Sequence, residues 1–145
     1  MQAGSKRILI MGLPGSGKTT LAKRIIAKME SSNRTVTWLN ADEVRKEYDD
    51  WDFSIEGRIR QSLRMNELAK KAETEFVVCD FVCPLPEMRK NFDPHFIIWL
   101  DTVTSSQYKD TDNMFIRPEG YTFKLLAKDA EKWGDYIAIN IMNTP

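Results

Sequence analysis

Eight residues near the N-terminus, Gly12-Leu-Pro-Gly-Ser-Gly-Lys-Thr19, have the types and the spacing that bind phosphate. Glycines at 12, 15 and 17 let the backbone wrap closely round an anion and turn several N–H groups inward. A helix that starts just after them adds the positive end of its dipole. Lys18 can reach terminal phosphates as a point charge, and the Thr19 hydroxyl can ligate Mg²⁺. The string satisfies G-x-x-x-x-G-K-[ST] in full, between a short apolar run and a helical one. A Gly-rich turn that merely caps a helix is disfavoured by the complete match and by both flanks. The expected ligand is ATP with Mg²⁺, held by Gly12, Leu13, Pro14, Gly15, Ser16, Gly17, Lys18, Thr19 and Thr20. Thr19 is the metal ligand and Lys18 a catalytic residue. No guanine-specifying N-K-x-D string occurs, and the chain is short for a motor or a switch protein. The loop therefore reads as that of a small-molecule kinase.

A second group follows at Asn40-Ala-Asp-Glu-Val-Arg45. Asp42 can orient an acceptor hydroxyl or hold Mg²⁺ through water. Arg45, one helical turn on, can grip an anionic acceptor through two parallel hydrogen bonds. The alternative is a helix with an acidic first turn and a solvated arginine. Spacing alone leaves both open.

Positioning these groups requires alternating strands and helices. Strand-like runs fall at 7–11, 35–39, 75–82, 95–101 and 121–126. Helical periodicity or capping marks 17–30, 41–48, 55–73, 85–91 and 129–141. Asn40 and Ser54 are the expected N-caps. The alternation predicts a single α/β domain over 1–145: a P-loop NTPase-type α/β/α sandwich of three layers, with a mostly parallel five-stranded sheet. Ligands would then sit beyond the carboxyl ends of the strands, which brings Asp42 and Arg45 near the loop. The stretch 102–120 has no clear period, and a connection that long is more often functional than idle.

The bulk properties narrow the field. A chain of 145 residues has room for one sizeable core, and its formal net charge of zero argues against a polyanion such as nucleic acid as partner. Cys79 and Cys83 lie four apart without a CxxC pair or a histidine cluster, so they predict buried thiols in a reducing cytoplasm rather than a zinc site. Met1 to Arg7 is polar, with no apolar leader, and no run approaches membrane-spanning length. The lone His95 has no acid or nucleophile spaced to serve it.

Three strings together resemble the adenylylsulfate kinase family, P-loop enzymes that phosphorylate the 3′-hydroxyl of adenylyl sulfate. They are GLPGSGKTTLA at 12–22, NADEVR at 40–45, similar to D-G-D-x-V-R, and DFSIEGRIRQSLR at 52–64, similar to G-F-S-x-x-D-R-x-E-N-I-R-R. FVCP at 81–84 is a weaker fourth, similar to F-I-S-P. The resemblance covers roughly residues 7–100. It implies a catalytic or metal-orienting role for Asp42, and contacts from Arg45, Phe53, Arg58 and Arg64 to a small nucleotide acceptor, in the first instance adenylyl sulfate. Phe53 would offer a stacking face to a base.

Departures from the family pattern are informative. Asn40 stands where the first acid of D-G-D stands, Gly57 where the acid of D-R stands, and Cys83 where the serine of F-I-S-P stands. The basic lid K-G-L-Y-K-K-A-R has no counterpart; Tyr108 to Phe115 stands there instead, followed by Arg117. Lys109 and Arg117 are candidate phosphate clamps. Asp80 ends the third strand, where many P-loop enzymes place a magnesium-associated acid, although the family position is usually not acidic. A kinase of the same scaffold with another nucleotide-like, nucleic-acid-end or small hydroxyl acceptor, and an ATP-binding module without turnover, stay as alternatives. A homodimer is left open.

Overall fold

The computed structural model describes residues 4–145, so Met1 to Ala3 of the polar N-terminal stretch lie outside the described residues. Strands and helices alternate as the periodicity requires. β1 (Lys6–Met11) leads into α1 (Lys18–Ser31), and β2 (Val36–Asn40) into α2 (Ala41–Tyr48) and α3 (Ile55–Lys71). β3 (Phe76–Asp80) leads into α4 (Pro86–Phe92), β4 (Phe96–Leu100) into α5 (Lys109–Met114), and β5 (Phe123–Leu125) into α6 (Ala130–Met142). The sheet order is β2-β3-β1-β4-β5 and every pairing is parallel.

Strand alternation divides the core in two. Ile8, Ile10, Phe76 and Val78 point to one face and pack with Leu21, Ile25 and Ile137 of α1 and α6. Leu9, Met11, Val77 and Cys79 point to the other and pack with Met65, Met88 and Phe92 of α3 and α4. A strand buried on both faces must be apolar throughout, which is why β1 and β3 read as unbroken apolar runs. Both free thiols belong to the second core.

This topology places the site. The chain passes from β1 outward to one side of the sheet and returns to the other at β4. The order therefore reverses beside β1, and the crevice at that reversal lies beyond the carboxyl ends of the strands. Local sequence sharpens the helix starts there. Asn40 accepts from the Glu43 N–H at 3.0 Å and Ser54 from the Gly57 N–H at 3.1 Å. Caps of this kind contribute about 1 kcal/mol each.

Two differences from the sequence reading bear on function. β3 ends at Asp80 rather than at 82, and Cys83 has φ 51°, a left-handed conformation in the turn that follows the strand. The stretch 102–120 contains α5, whose six residues, KDTDNM, carry no apolar stripe that could announce it. A helix that short owes its existence to tertiary contacts.

Candidate active site

The loop between β1 and α1 is built for an anion. Gly17 has φ 102°, a conformation that other residues rarely adopt, and it opens α1 with no side-chain cap. The first N–H groups of a 14-residue helix are thereby left for a ligand. Lys18 turns back to the Leu13 carbonyl at 3.0 Å. Burial lowers its pKa to about 8, against the opposing pull of Asp80 and Asp42. An anion in the loop would restore the full charge.

A cavity of about 680 Å³ joins this loop to the second group. Pro14, Gly15, Gly17, Lys18, Thr19 and Thr20 form one wall; Asp42, Arg45, Phe53 and Arg58 form the facing one. The structure thus brings together Lys18, Asp42, Arg45, Phe53 and Arg58, residues drawn from three separate stretches of sequence. Gly12 and Leu13 stay behind the loop, away from this cavity, and Ser16 faces a neighbouring one.

The two arginines are buried and already engaged. Arg45 Nη1 donates to the carbonyls of Asp50 and Asp52, at 3.0 and 3.2 Å. Arg58 donates to the Phe53 carbonyl at 2.8 Å and to Thr111 Oγ1 of α5 at 2.6 Å. Their guanidinium carbons stand 4.3 and 5.5 Å from the centre of the Phe53 ring. Each arginine therefore holds the 50–53 loop and faces the cavity at once. Arg58 also ties that loop to α5.

Arg64 is not brought to the cavity. It donates to Asp50 at 2.9 Å and to Gln61 at 2.8 Å, and lies 4.4 Å from the centre of the Tyr48 ring. Arg60 shares Asp50 with it, and the two guanidinium groups hold that carboxyl well below the usual range. The 50–53 loop is thus braced from outside by an ion-pair cluster, and Arg64 belongs to the brace. Gly57 belongs to the same arrangement. A Cβ at 57 would lie 2.2 Å from the Asp52 carbonyl oxygen and 2.4 Å from its carboxyl carbon. The family string has Gly and Asp at the reverse positions, so one acid is kept and its attachment point has moved.

The strings at 81–84 and in the 102–120 connection, marked in the sequence without an assigned contact, supply further lining residues. Phe81, Val82, Cys83 and Pro84 enter from the end of β3, and Gln107, Tyr108, Asp110 and Thr111 from the 102–120 connection. Burial pushes the Cys83 thiol far above its ordinary range, which removes it as a nucleophile. The connection is docked: Arg89 donates to the carbonyls of Cys83, Pro84 and Ile116, and the Ile116 N–H returns to Pro84. Neither candidate clamp lines the cavity. Arg117 pairs with Asp101 at 3.1 Å and covers Trp99. His95 accepts from the Arg7 N–H at 3.0 Å, a structural task.

Asp80 lies at the floor, 3 % exposed. It accepts from Thr19 Oγ1 at 3.0 Å, Trp38 Nε1 at 2.7 Å and Asn40 Nδ2 at 3.0 Å. Burial raises its pKa, against these three bonds and Lys18. A smaller cavity of about 170 Å³ opens on the far side of the loop, between Gly17, Thr20, Leu100, Leu125, Lys128 and Asp129. Nothing in the local pattern of 125–129 signals it, because its walls come from three different strand ends.

Fold and loop together define a P-loop kinase-type α/β protein. Comparison with known proteins narrows the class. The adenylylsulphate kinase family matches residues 4–100, and the chain belongs to that family. Among its relatives, it is 32 % identical over 63 residues to a cytidine diphosphoramidate kinase of Campylobacter jejuni, covering 43 % of this chain and 37 % of that one. It is 32 % identical over 85 residues to a probable adenylyl-sulfate kinase of Aeropyrum pernix, covering 57 % of this chain and 46 % of the other. The chain thus spans less than half the length of either curated relative. The fold is that of the Mycobacterium tuberculosis APS kinase solved in complex with AMPPNP and APS: TM-score 0.82, 17 % identity, 99 % of this chain and 100 % of that one covered.

Proposed function

We propose that residues 1–145 act as a single kinase domain that transfers the γ-phosphoryl group of ATP to the 3′-hydroxyl of adenylyl sulfate. The observation that carries this reading is the continuity of one cavity from Lys18 and Thr19 to Asp42, Arg45, Phe53 and Arg58. Family membership and the M. tuberculosis neighbour, solved with a nucleotide triphosphate analogue and APS, support it.

In this reading ATP lays its phosphates along Gly15 to Thr20, and its base enters the smaller cavity by Leu125 and Lys128. The acceptor lies against Phe53, with its anionic group toward Arg45 and Arg58. Asp42 accepts a hydrogen bond from the acceptor hydroxyl and takes its proton as the new P–O bond forms. The bond to the β-phosphate oxygen breaks on the opposite side, where Lys18 meets the charge that develops. Phosphoryl transfer asks a protein for positioning and charge neutralisation more than for a covalent intermediate, which agrees with an inert Cys83. The residues present fit Mg²⁺: Thr19 offers a hydroxyl beside the phosphate positions, and this ion commonly takes its other ligands from phosphates and water. When bound, the ion would neutralise phosphate charge.

One observation favours a second acceptor. Where the family carries a basic lid string, this chain presents Gln107, Tyr108, Asp110 and Thr111 to the cavity. An acceptor group with N–H bonds can donate to Gln107 and Asp110, which a sulfate cannot do, and the C. jejuni relative is named for a phosphoramidate of cytidine diphosphate. Coupled ADP release separates the readings, measured with adenylyl sulfate, cytidine nucleotides, 5′-hydroxyl oligonucleotides and small alcohols. Stimulation by adenylyl sulfate well above water is expected. None by it but clear stimulation by a cytidine nucleotide would select the second acceptor. Silence with every acceptor would leave a nucleotide-binding module.

A further inference from the structure

The end of β4 presses against the phosphate loop from behind. A Cβ at Gly12 would lie 2.6 Å from the Leu100 carbonyl oxygen, so glycine there is what lets the loop approach that strand end. Two residues beyond Leu100, Thr102 Oγ1 donates to the Ser16 carbonyl at 2.7 Å. Thr102 opens the 102–120 connection, and the strand before it fixes its place. Leu100 is in register with Leu125 of β5, and the Asp101 N–H donates to the Leu125 carbonyl at 2.9 Å. Thr102 itself lines neither cavity.

This contact falls on the peptide unit where the loop turns most easily. Gly17 has φ 102°, and a glycine adopts positive and negative φ about equally well. Chain preference alone therefore does not hold the plane of the Ser16–Gly17 peptide. That peptide is planar and trans, so its carbonyl and its N–H point in opposite directions. With the Ser16 carbonyl held by Thr102, the Gly17 N–H is aimed away from the end of β4. Other ties in the loop leave this peptide alone. The Ser16 N–H and Lys18 Nζ both donate to the Leu13 carbonyl, at 3.1 and 3.0 Å. The Ser16 hydroxyl is buried and has no hydrogen-bond partner among the described residues.

We infer that Thr102 is a positioning residue for phosphate binding: its hydroxyl fixes the Ser16–Gly17 peptide so that the Gly17 N–H is set for a phosphate oxygen before a nucleotide arrives. The inference rests on the reading of Gly12 to Thr19 as a nucleotide loop. It adds to that loop a brace that stands 86 positions away in the chain.

ADP binding is measured by calorimetry, and the Gly17 amide is followed by ¹H–¹⁵N NMR as ADP is added. Thr102→Val keeps the shape of the side chain and removes the donor. It should weaken ADP by about tenfold or more, the usual worth of a hydrogen bond to a charged group. The downfield shift of the Gly17 amide proton at saturating ADP should be largely lost. Thr102→Ser restores the hydroxyl and should stay within about threefold of the wild type, with the amide shift kept. Should the valine variant not fold, Thr102→Ala carries the same expectation. Wild-type affinity without the hydroxyl, a serine variant as weak as the valine one, or a full Gly17 shift in the weakened variant would overturn the inference. A wild-type protein that bound no ADP would sink the nucleotide reading itself, and this inference with it.

Discussion

The two walls of the cavity are made in different ways. The phosphate wall is one continuous string, Gly12 to Thr20, whose geometry follows from its own glycines and the helix it opens. The facing wall, proposed for the acceptor, is assembled: Arg45 comes from α2, Phe53 from a loop, Arg58 from α3, and Thr111 from α5 beyond the fourth strand. A local wall should tolerate loss of stability elsewhere and fail only through its own residues and the Thr102 hydroxyl that braces them. An assembled wall should respond to changes at the braces that hold it, even where these touch no ligand.

The largest effect is expected at Lys18. Lys18→Met should lower turnover by on the order of 10²–10³-fold, the usual effect of removing one preorganised donor from a developing charge. The ligand-free protein should become more stable. Lys18 is charged at neutral pH with a folded pKa of about 8, below its ordinary 10.5. The folded state binds the proton less well, so the buried charge costs stability below pH 8. That cost fades as pH rises from about 8 to 10.5. The gain on substitution, on the order of 1–3 kcal/mol at pH 7, should shrink over the same window. Chemical denaturation at pH 7 and pH 10 reads it directly. A destabilised Lys18→Met would contradict the assignment.

Next comes the brace at Arg58. Arg58→Met removes the bonds to the Phe53 carbonyl and to Thr111. The KM for the acceptor should rise by about tenfold or more, with a stability loss of about 2–3 kcal/mol, while the KM for ATP changes little. Steady-state kinetics with each substrate varied in turn distinguishes this from a general loss of fold. Equal rises in both KM values would mean that the two walls are not independent.

Gly57→Ala tests the same wall without removing any bond. Its methyl group would have to displace the Asp52 backbone, at a cost of about 1–3 kcal/mol. Asp52→Gly/Gly57→Asp, which restores the family arrangement, should recover stability relative to Gly57→Asp alone. Thermal melts of the three variants give the comparison. The smallest effect is expected at Cys83. Cys83→Ala should leave turnover within about threefold and lower stability modestly through a small cavity. Loss of activity in a folded variant would show that the thiol acts in the reaction.

Much of this was legible in the chain. The ten elements expected from periodicity and capping all exist, because each buries an apolar stripe of its own or starts at a recognisable cap. A resemblance carried by short strings singled out Asp42, Arg45, Phe53 and Arg58, and the structure gathers them round one cavity. Arg64 was not placed correctly: it lies on the same helix as Arg58, and nothing local states that Asp50 and Gln61 would claim it. Helix α5 escaped notice because its residues, polar but for Met114, are ordered by Arg58 and by the docked connection, not by their own pattern.

By itself, the sequence determined the parallel α/β plan and the phosphate loop, since both depend on backbone preference and on spacing within a few residues. Tertiary structure decided which arginines face the cavity, where the connection after β4 docks, and that Asn40 hydrogen-bonds to Asp80. Those outcomes turn on contacts between separate elements, such as Arg64 with Asp50, Arg89 with Ile116, Arg58 with Thr111 and Asn40 with Asp80, and no local spacing encodes such a meeting.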